Sequence, residues 1–109
     1  MICKPQKHSG NLDSVSLEEA ASALESLGNP TRLAIFRLLI KSGGEGLAVG
    51  RVQQSLSVAP STLTHHINHL MQRGLISQVR EGRVLRCTPN YTRMKTLIDF
   101  LLEECCQGV

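Results

Sequence analysis

Hydrophobic residues recur at helical spacing through the first third of this chain and predict two helices. In the stretch SLEEAASALESLG, Ser16 and Glu19 have the spacing of a capping box, and Gly28 is a typical helix end. The apolar positions between them are Leu17, Ala20, Ala21, Leu24 and Leu27. Their spacing predicts a first helix with one apolar face.

The stretch NPTRLAIFRLLI predicts a second helix directly after the first. Asn29 is a favourable N-cap, and Pro30 suits the first helical position because its missing N–H is not needed there. The inner face is predicted to hold Leu33, Phe36, Leu39 and Ile40. The glycine-rich segment KSGGEG then ends this helix.

Two further helical patterns follow, separated by a short turn. VGRVQQSL predicts a third, short helix, and STLTHHINHLMQRG predicts a fourth helix that Gly74 ends. The apolar stripe of the fourth helix is Leu63, Ile67, Leu70 and Met71. Two helices joined by a short turn are typical of a helix-turn-helix.

The pattern then changes to strands and returns to a helix. In LISQVREGRVLRCTP, two β-prone runs flank the dipeptide EG, which predicts a two-residue hairpin turn and therefore a wing that Pro89 ends. YTRMKTLIDFLLEECC predicts a last helix from Tyr91 to Cys105. Its apolar face would hold Met94, Leu97, Ile98, Leu101, Leu102 and Cys105. The predicted fold is mostly α with a β-hairpin wing, a winged helix-turn-helix.

Length and composition predict one small domain. A chain of 109 residues with 41% hydrophobic residues buries one modest core, so a partner subunit is expected to add burial. We expect a mobile tail over residues 1–15, the folded domain over 16–106 and a short tail over 107–109. No apolar run approaches the roughly 18 residues of a membrane span, and no apolar region follows the basic start. We therefore expect a soluble, cytoplasmic protein that has no membrane partner.

Charge concentrates in the middle of the chain. The net charge is +3, but residues 59–95 hold six basic residues against one acidic residue, a net charge of +5. The flanking helices are acidic. A basic segment between acidic ends favours an anionic partner for that segment, whereas a solvated charged face is the alternative interpretation.

The fourth helix carries the residue types of a DNA recognition helix. Short hydroxyl, amide and imidazole groups at its first turns can reach phosphates and base edges in a major groove. The candidates are Ser61, Thr62, Thr64, His65, His66 and Asn68. On the wing, Arg80 and Arg83, with Arg86, would lie over a minor groove or along phosphates. Solubility at an exposed sheet edge is the alternative for these arginines.

Two histidines also have a spacing that suits a metal ion. His65 and His69 are four residues apart, which can place both imidazoles on one ion. However, no Asp or Glu lies nearby to orient the imidazoles, and the surrounding Ser and Thr suit DNA better. DNA contact is therefore the favoured interpretation.

Three stretches together resemble one known family. LGNPTRLAIFRLL, APSTLTHHINHLMQRGLI and VREGRVLRCTPN look like the ArsR/SmtB winged-helix repressors, and the resemblance covers about residues 16–106. It implies a homodimer whose first and last helices pair across a two-fold axis. It also implies that the dimer binds double-stranded operator DNA at an imperfect inverted repeat and leaves it when an inducer binds. An enzyme is disfavoured, because no Ser-His-Asp order, phosphate loop or carboxylate pair occurs.

The family's inducer sites direct attention to the cysteines. Ala48 and Gly50 stand where many arsenic and cadmium sensors carry a Cys-Val-Cys pattern, and the last helix has no histidine for a zinc site. Cys87, Cys105 and Cys106 remain and resemble the arsenic-responsive members with thiols on the carboxyl-terminal helix. This resemblance implies a trivalent arsenical as inducer and no required cofactor.

Helix geometry limits how these thiols can meet. Neighbouring helical side chains point about 100° apart, so Cys105 and Cys106 diverge on an intact helix. A helix from Tyr91 to Cys105 would be roughly 21 Å long, whereas the link from Cys87 to Tyr91 reaches at most about 14 Å. We therefore hypothesise a site that joins Cys87 of one subunit to Cys105 of the other, with Cys106 as an optional third ligand.

Other interpretations of the thiols stay open at this point. Cys87 could be a small buried strand residue, Cys105 a core residue and Cys106 part of a frayed end. The tail residue Cys3 is expected to be incidental. The same thiols could instead make a redox- or persulfide-responsive repressor of this fold. A dimeric protein-interaction module that does not bind DNA is a third interpretation.

Overall fold

The structure is a computed structural model that describes residues 15–108. Within this range the chain forms five helices and a three-stranded antiparallel sheet. The elements are α1 Leu17–Leu27, α2 Pro30–Ser42, β1 Leu47–Ala48, α3 Val49–Leu56, α4 Pro60–Gln72, β2 Ile76–Glu81, β3 Val84–Pro89 and α5 Tyr91–Leu102. The predicted winged helix-turn-helix is therefore confirmed. No helix in the described range is long and apolar enough to cross a membrane.

The starts of α1 and α2 follow the predicted caps. Ser16 Oγ accepts the backbone N–H of Glu19 at 3.1 Å, and the Glu19 carboxylate accepts the Ser16 N–H at 3.0 Å. The second bond lowers the pKa of Glu19, because it stabilises the charged carboxylate. Asn29 Oδ1 accepts the N–H groups of Thr31 and Arg32 at 2.9 and 3.1 Å. Both helices thus begin where local hydrogen bonds replace the missing helical ones.

The predicted inner faces of α1 and α2 are partly wrong. In α1 the buried residues are Ala20, Ala23 and Ser26, whereas Leu17 and Leu24 are 67% and 40% exposed. In α2 the buried residues are Ile35, Phe36 and Leu39, whereas Leu33 is 42% exposed. The small side chains of α1 let it approach its neighbours closely, so its leucines are left on the outer surface.

The core lies between the helices and the inner face of the sheet. Its fully buried members include Ile35 and Leu39 of α2, Val52 of α3, and Cys87 of β3. Val15, placed in the predicted tail, is buried and belongs to this core. The rest of that predicted tail, residues 1–14, lies outside the described residues, as does Val109 at the other end.

A third strand completes the sheet and was not predicted. β1 pairs antiparallel with β3 through Leu47 opposite Cys87 and Ala48 opposite Arg86, so the strand order is β1-β3-β2. Because α3 begins at the next residue, Val49, this short strand connects the wing to the helix-turn-helix.

The hairpin turn lies one residue later than predicted. Glu81 pairs with Val84, so Gly82 and Arg83 form the two-residue turn instead of Glu81 and Gly82. Gly82 has φ +65°, which a glycine at the first central position adopts without strain. The predicted turn would have placed Arg80 opposite Arg83, and like charges directly opposite are unfavourable. The observed register instead allows the Glu81 carboxylate to accept from Arg86 Nε at 3.0 Å.

The last helix ends earlier than predicted. α5 stops at Leu102, and turns follow over residues 103–106. The Cys105 N–H donates to the carbonyl of Leu102, three residues back, at 2.9 Å, and Cys106 has φ +65°. The two terminal cysteines therefore lie on a turn and not on an intact helix.

Candidate nucleic-acid interface

The helix-turn-helix places the outer face of α4 in solvent. α3 ends at Ser57, whose left-handed backbone (φ +54°) starts the turn that leads into Pro60. Leu63, Ile67 and Leu70 bury the inner face of α4. Five of the six predicted DNA-binding residues of this helix are exposed, namely Ser61, Thr62, Thr64, His65 and Asn68. This stripe of short polar side chains can approach a DNA groove without obstruction.

The amino terminus of α4 favours an anion. Among the described residues, no side chain caps this terminus, because Ala59 stands at the N-cap position. The first N–H groups of α4 are therefore left for an external acceptor, and the helix dipole favours negative charge there. A DNA phosphate is such an acceptor.

His66, the sixth predicted residue, has a different environment. Its imidazole is half-buried, and Nδ1 lies 3.2 Å from Nη1 of Arg32 on α2. Burial lowers the pKa of His66, and the positive charge of Arg32 lowers it further. His66 is therefore held neutral at the edge of the polar stripe, and one of its ring nitrogens is used inside the protein.

His69 is also used for packing, which bears on the alternative metal interpretation. Its Nδ1 lies 2.9 Å from the hydroxyl of Ser26, a fully buried residue of α1. Burial lowers the pKa of His69, as do the charges of Arg32 and Arg73. The ring centroids of His65 and His69 are 6.5 Å apart. Over residues 15–108, no group of three or more histidine, cysteine, aspartate or glutamate residues is placed to hold a metal ion.

Sequence reasoning missed two residues that position α4. Ser26 accepts Arg32 Nε on its carbonyl oxygen at 2.7 Å, and its hydroxyl contacts His69. Arg32 thereby joins α1, α2 and α4. A signal was present for Ser26, which follows Ala20 and Ala23 at helical spacing and so belongs to the buried face. No local pattern marked Arg32, because its partner His66 is 34 positions away.

On the wing, the two predicted DNA-binding arginines are exposed. Arg80 lies on β2, and Arg83 lies in the turn at the wing tip. Arg86 instead forms the ion pair with Glu81 and is half-buried. Arg80 and Arg83 are thus the wing cations with the best access to a phosphate backbone, whereas the Glu81 carboxylate offsets much of the charge of Arg86.

The three predicted thiol ligands fall into two separate environments. Cys87 is 0% exposed in the core, where burial raises the pKa of its thiol and Gln78 Nε2 donates to its sulfur at 3.6 Å. A buried, protonated thiol is a poor ligand, because the thiolate is the form that binds metals. This weighs against Cys87, although its assignment as a ligand stays a prediction.

The sulfur atoms of the two terminal cysteines lie close together, which the sequence did not predict. The Sγ atoms of Cys105 and Cys106 are 3.2 Å apart, because the chain leaves the helix before these residues and Cys106 adopts a left-handed backbone. The argument that neighbouring thiols diverge assumed an intact helix and is therefore wrong here. In the reduced protein, this turn would bring both sulfurs within reach of one bound atom.

Comparison with known proteins identifies the family. A family model described as a helix-turn-helix domain matches residues 27–79. An uncharacterized HTH-type transcriptional regulator of Methanocaldococcus jannaschii is 34% identical over 65 residues, which cover 60% of this chain and 71% of the relative. A relative from Halobacterium salinarum, named as a candidate arsenical resistance operon repressor ArsR, is 32% identical over 68 residues, 62% of this chain and 52% of the relative.

A solved structure shows the same architecture. A homodimeric winged helix-turn-helix DNA-binding domain from Mycobacterium bovis, described as a possible ArsR-family transcriptional regulator, superimposes with a TM-score of 0.64. It is 23% identical and covers 81% of this chain and 82% of that chain. These relatives and this fold are those of DNA-binding regulators and not of enzymes. The chain belongs to the helix-turn-helix transcriptional regulators, and its structural neighbours include winged helix-turn-helix proteins described as ArsR-family regulators.

Proposed function

We propose that this protein is a homodimeric transcriptional repressor that binds operator DNA and that, in its reduced form, leaves the DNA when a trivalent arsenical binds the thiolates of Cys105 and Cys106. The observation that carries the DNA-binding part is the solvent-facing polar stripe of α4 beside an arginine-bearing wing. The observation that carries the inducer part is the 3.2 Å separation of the two terminal sulfurs.

DNA binding divides between α4 and the wing. The short side chains of α4, from Ser61 to Asn68, enter the major groove, where hydroxyl, amide and imidazole groups contact base edges and phosphates. Arg80 and Arg83 contact the phosphate backbone beside the groove. Their contribution is mainly affinity that falls with rising salt, because each phosphate contact releases a counterion.

A second copy of the chain covers the apolar residues that α1 and α5 expose. Leu17 and Leu24 are exposed on α1, and Ile98, Leu101 and Leu102 are exposed on α5. Several large apolar side chains exposed together mark an interaction surface. A two-fold axis through these helices places two α4 helices on one face of the dimer. The operator half-sites are then about 34–36 Å apart, one helical turn of DNA.

The terminal cysteines suit a soft, pyramidal ion. With sulfur bonds of about 2.3 Å, the length typical of a zinc–thiolate bond, an atom bound to both sulfurs would have a bond angle near a right angle. Trivalent arsenic forms bonds at such angles and prefers soft thiolates. A methyl or aryl arsenical has one position blocked by carbon, so two thiolates complete its coordination. Cys87 is not required, because its thiol is buried and protonated.

Release follows from where these cysteines lie. They lie three and four residues after Leu102, which with Leu101 is exposed on α5 and belongs to the dimer surface proposed above. An arsenical that fixes the turn changes how α5 packs against its partner and therefore the spacing of the two α4 helices. Such an inducer must bind the DNA-incompetent dimer more tightly, and a coupling of about 1–3 kcal/mol lowers DNA affinity some 5- to 150-fold.

Fluorescence anisotropy of the reduced protein tests the proposal. A labelled duplex from the region upstream of its own gene is titrated with protein and then with arsenite, methylarsenite, phenylarsenite or zinc. We expect the organic arsenicals to release DNA at lower concentrations than arsenite. Cys105→Ser and Cys106→Ser should each abolish release, whereas the matched Cys87→Ser variant should not. Release that survives both terminal substitutions would rule out this inducer site.

A second inducer chemistry is favoured by the same distance. In the reduced protein, the Cys105 thiolate can attack the outer sulfur of a low-molecular-weight persulfide, which breaks the S–S bond of that persulfide and releases a thiol. The Cys106 thiolate, 3.2 Å away, can then attack the inner sulfur of the new protein persulfide and release hydrosulfide. The resulting disulfide locks the turn without arsenic. Adding a persulfide to the same titration separates the two. Release by persulfide alone would make this protein a thiol-redox repressor of the same fold.

A further inference from the structure

One arginine ties three helices together behind the DNA-facing surface. Arg32 Nε donates to the carbonyl of Ser26 near the end of α1 at 2.7 Å, and Arg32 Nη1 lies 3.2 Å from His66 Nδ1 on α4. The backbone N–H of Arg32 is itself fixed at the start of α2 by Asn29 Oδ1 at 3.1 Å. The guanidinium therefore sits at a defined position when it meets the imidazole.

The chemistry of this pair fixes the protonation of His66. An arginine side chain has only N–H donors and keeps its charge at any physiological pH. Nδ1 of His66 must therefore be the acceptor, so the ring is neutral and its one hydrogen is on Nε2. Burial and the charge of Arg32, which both lower the pKa of His66, agree with this neutral form.

Nε2 of His66 remains accessible from outside the protein. Within residues 15–108, the one buried side-chain nitrogen or oxygen that has no hydrogen-bond partner is Nε of Arg73. Nε2 of His66 makes no hydrogen bond within these residues. Because it is not among the buried atoms that lack a partner, it must be in contact with solvent. Thr62, one turn earlier on α4, is exposed, and His66 thus borders the polar stripe.

We infer that Arg32 is a positioning residue that holds His66 as the Nε2–H tautomer and so presents a fixed hydrogen-bond donor to an acceptor atom of the DNA. This inference rests on the proposed function of α4. The acceptor is a phosphate oxygen or a base atom such as guanine N7, which both lack hydrogens. A donor in a single fixed tautomer discriminates against the amino groups of adenine and cytosine, which offer hydrogens instead.

The charged surroundings of His66 support one protonation state. Arg32 faces it from α2, and His65 and His69 flank it on α4. The α1 residues nearby are Ser26, which is uncharged, and Glu25. The Glu25 carboxylate lies 3.8 Å from the Arg73 guanidinium and acts on His69. Protonation of His66 would place a second cation 3.2 Å from the guanidinium and remove the acceptor. The pair then separates, and α4 loses the hydrogen bond that joins it to Arg32 on α2.

Nuclear magnetic resonance of the DNA-free dimer tests the Arg32 part by itself. Two-bond hydrogen–nitrogen spectra at pH 7 distinguish the two neutral tautomers and the imidazolium. We expect His66 to be the Nε2–H tautomer in the wild type, and to become a mixture with a higher pKa in Arg32→Met. His65 in the same spectra is the internal control. A wild-type His66 that is charged or protonated on Nδ1 would overturn the inference without any variant.

Two substitutions of His66 separate its contacts. Asn places an amide oxygen near the Nδ1 position and keeps the Arg32 bond, whereas Gln places an N–H near Nε2 and keeps the donor to DNA. We expect His66→Asn to fold as the wild type does and bind the operator about 2- to 10-fold more weakly, the value of one hydrogen bond. His66→Gln should retain more affinity than His66→Asn. The reverse order would refute the donor role.

DNA binding completes the test. If His66→Asn weakens binding to a non-specific duplex as well as to the operator, the acceptor is a phosphate oxygen. If it weakens binding to the operator alone, the acceptor is a base atom. Because Arg32 acts through His66, Arg32→Met should weaken binding little further in the His66→Asn background. If the wild type binds no duplex even at low salt, the proposed function fails, while the tautomer measurement still decides the role of Arg32.

Discussion

Replacing Gly46 by alanine should disrupt the connection between the wing and the helix-turn-helix. Gly46 precedes β1 and has φ +68°, a conformation that side chains with a Cβ rarely adopt. A Cβ at this position would overlap the carbonyl oxygen of Cys87 and lie 2.7 Å from Thr88 Cγ2. The closest contact is backbone, so a side-chain rotation cannot relieve it, and β1 must move away from β3.

The cost has two parts that can be assessed separately. The left-handed backbone costs an alanine about 1–2 kcal/mol. Moving β1 away weakens the pairing of Leu47 with Cys87 and of Ala48 with Arg86, and each lost hydrogen bond costs about 0.5–1.5 kcal/mol. We therefore expect Gly46→Ala to lower the free energy of unfolding by about 3–4 kcal/mol.

Two other glycines provide matched controls. Gly82 also has a positive φ (+65°), but a Cβ added there would meet no atom within 4 Å, so Gly82→Ala should cost only the backbone part, about 1–2 kcal/mol. Gly50 lies in α3 with open space around it, and Gly50→Ala should stabilise the protein by about 0.5–1 kcal/mol.

Urea unfolding followed by circular dichroism measures all three variants at one protein concentration, because dimer stability depends on concentration. With a slope of about 2 kcal/mol per molar urea, Gly46→Ala should unfold about 1 M earlier than Gly82→Ala. It should also bind DNA more weakly, because β1 leads directly into α3. Equal midpoints for these two variants would show that the contact with Cys87 does not matter, and the reasoning would be refuted.

Three further predictions concern the caps, the histidines and the wing. Asn29→Ala removes the acceptor of two N–H groups and should cost about 1–2 kcal/mol of unfolding free energy by the same assay, whereas an unchanged value would contradict the cap. Because the pKa values of His66 and His69 are lowered from 6.5, the folded state binds fewer protons than the unfolded chain. The free energy of unfolding should therefore be highest above about pH 6.5 and fall below that pH, and the fall should be smaller in His66→Asn. Equal urea midpoints at pH 7.5 and pH 5.5 would contradict this prediction. Arg83→Ala should reduce the slope of log DNA affinity against log salt concentration by about one. Arg86→Ala should reduce this slope by less, because Arg86 already pairs with Glu81. A slope for Arg83→Ala equal to that of the wild type would argue against contacts between the wing and DNA.

The sequence by itself determined the features that depend on local interactions. The starts of α1 and α2 were predictable because Ser16, Glu19 and Asn29 bond backbone groups within three residues. The inner stripe of α4 was predictable because Leu63, Ile67 and Leu70 follow the helical period. The same period determined that Ser61, Thr62 and their neighbours would face solvent, so the candidate DNA-binding surface could be found from residues alone.

Tertiary structure decided what depends on distant partners. β1 has two residues, too few for a period, and forms only because β3 supplies its hydrogen bonds some 40 positions later. The hairpin register follows from burying Ile76 and Cys87 in the core, since a shift of one residue would turn the hairpin's side chains to the opposite face. The bond from Arg32 to His66 and the approach of the Cys105 and Cys106 sulfurs belong to the same class. Local sequence patterns specify hydrogen bonds between residues one or two turns apart. The end of α5, the register of the hairpin and the contacts between distant side chains are determined only when the separate elements pack around one core.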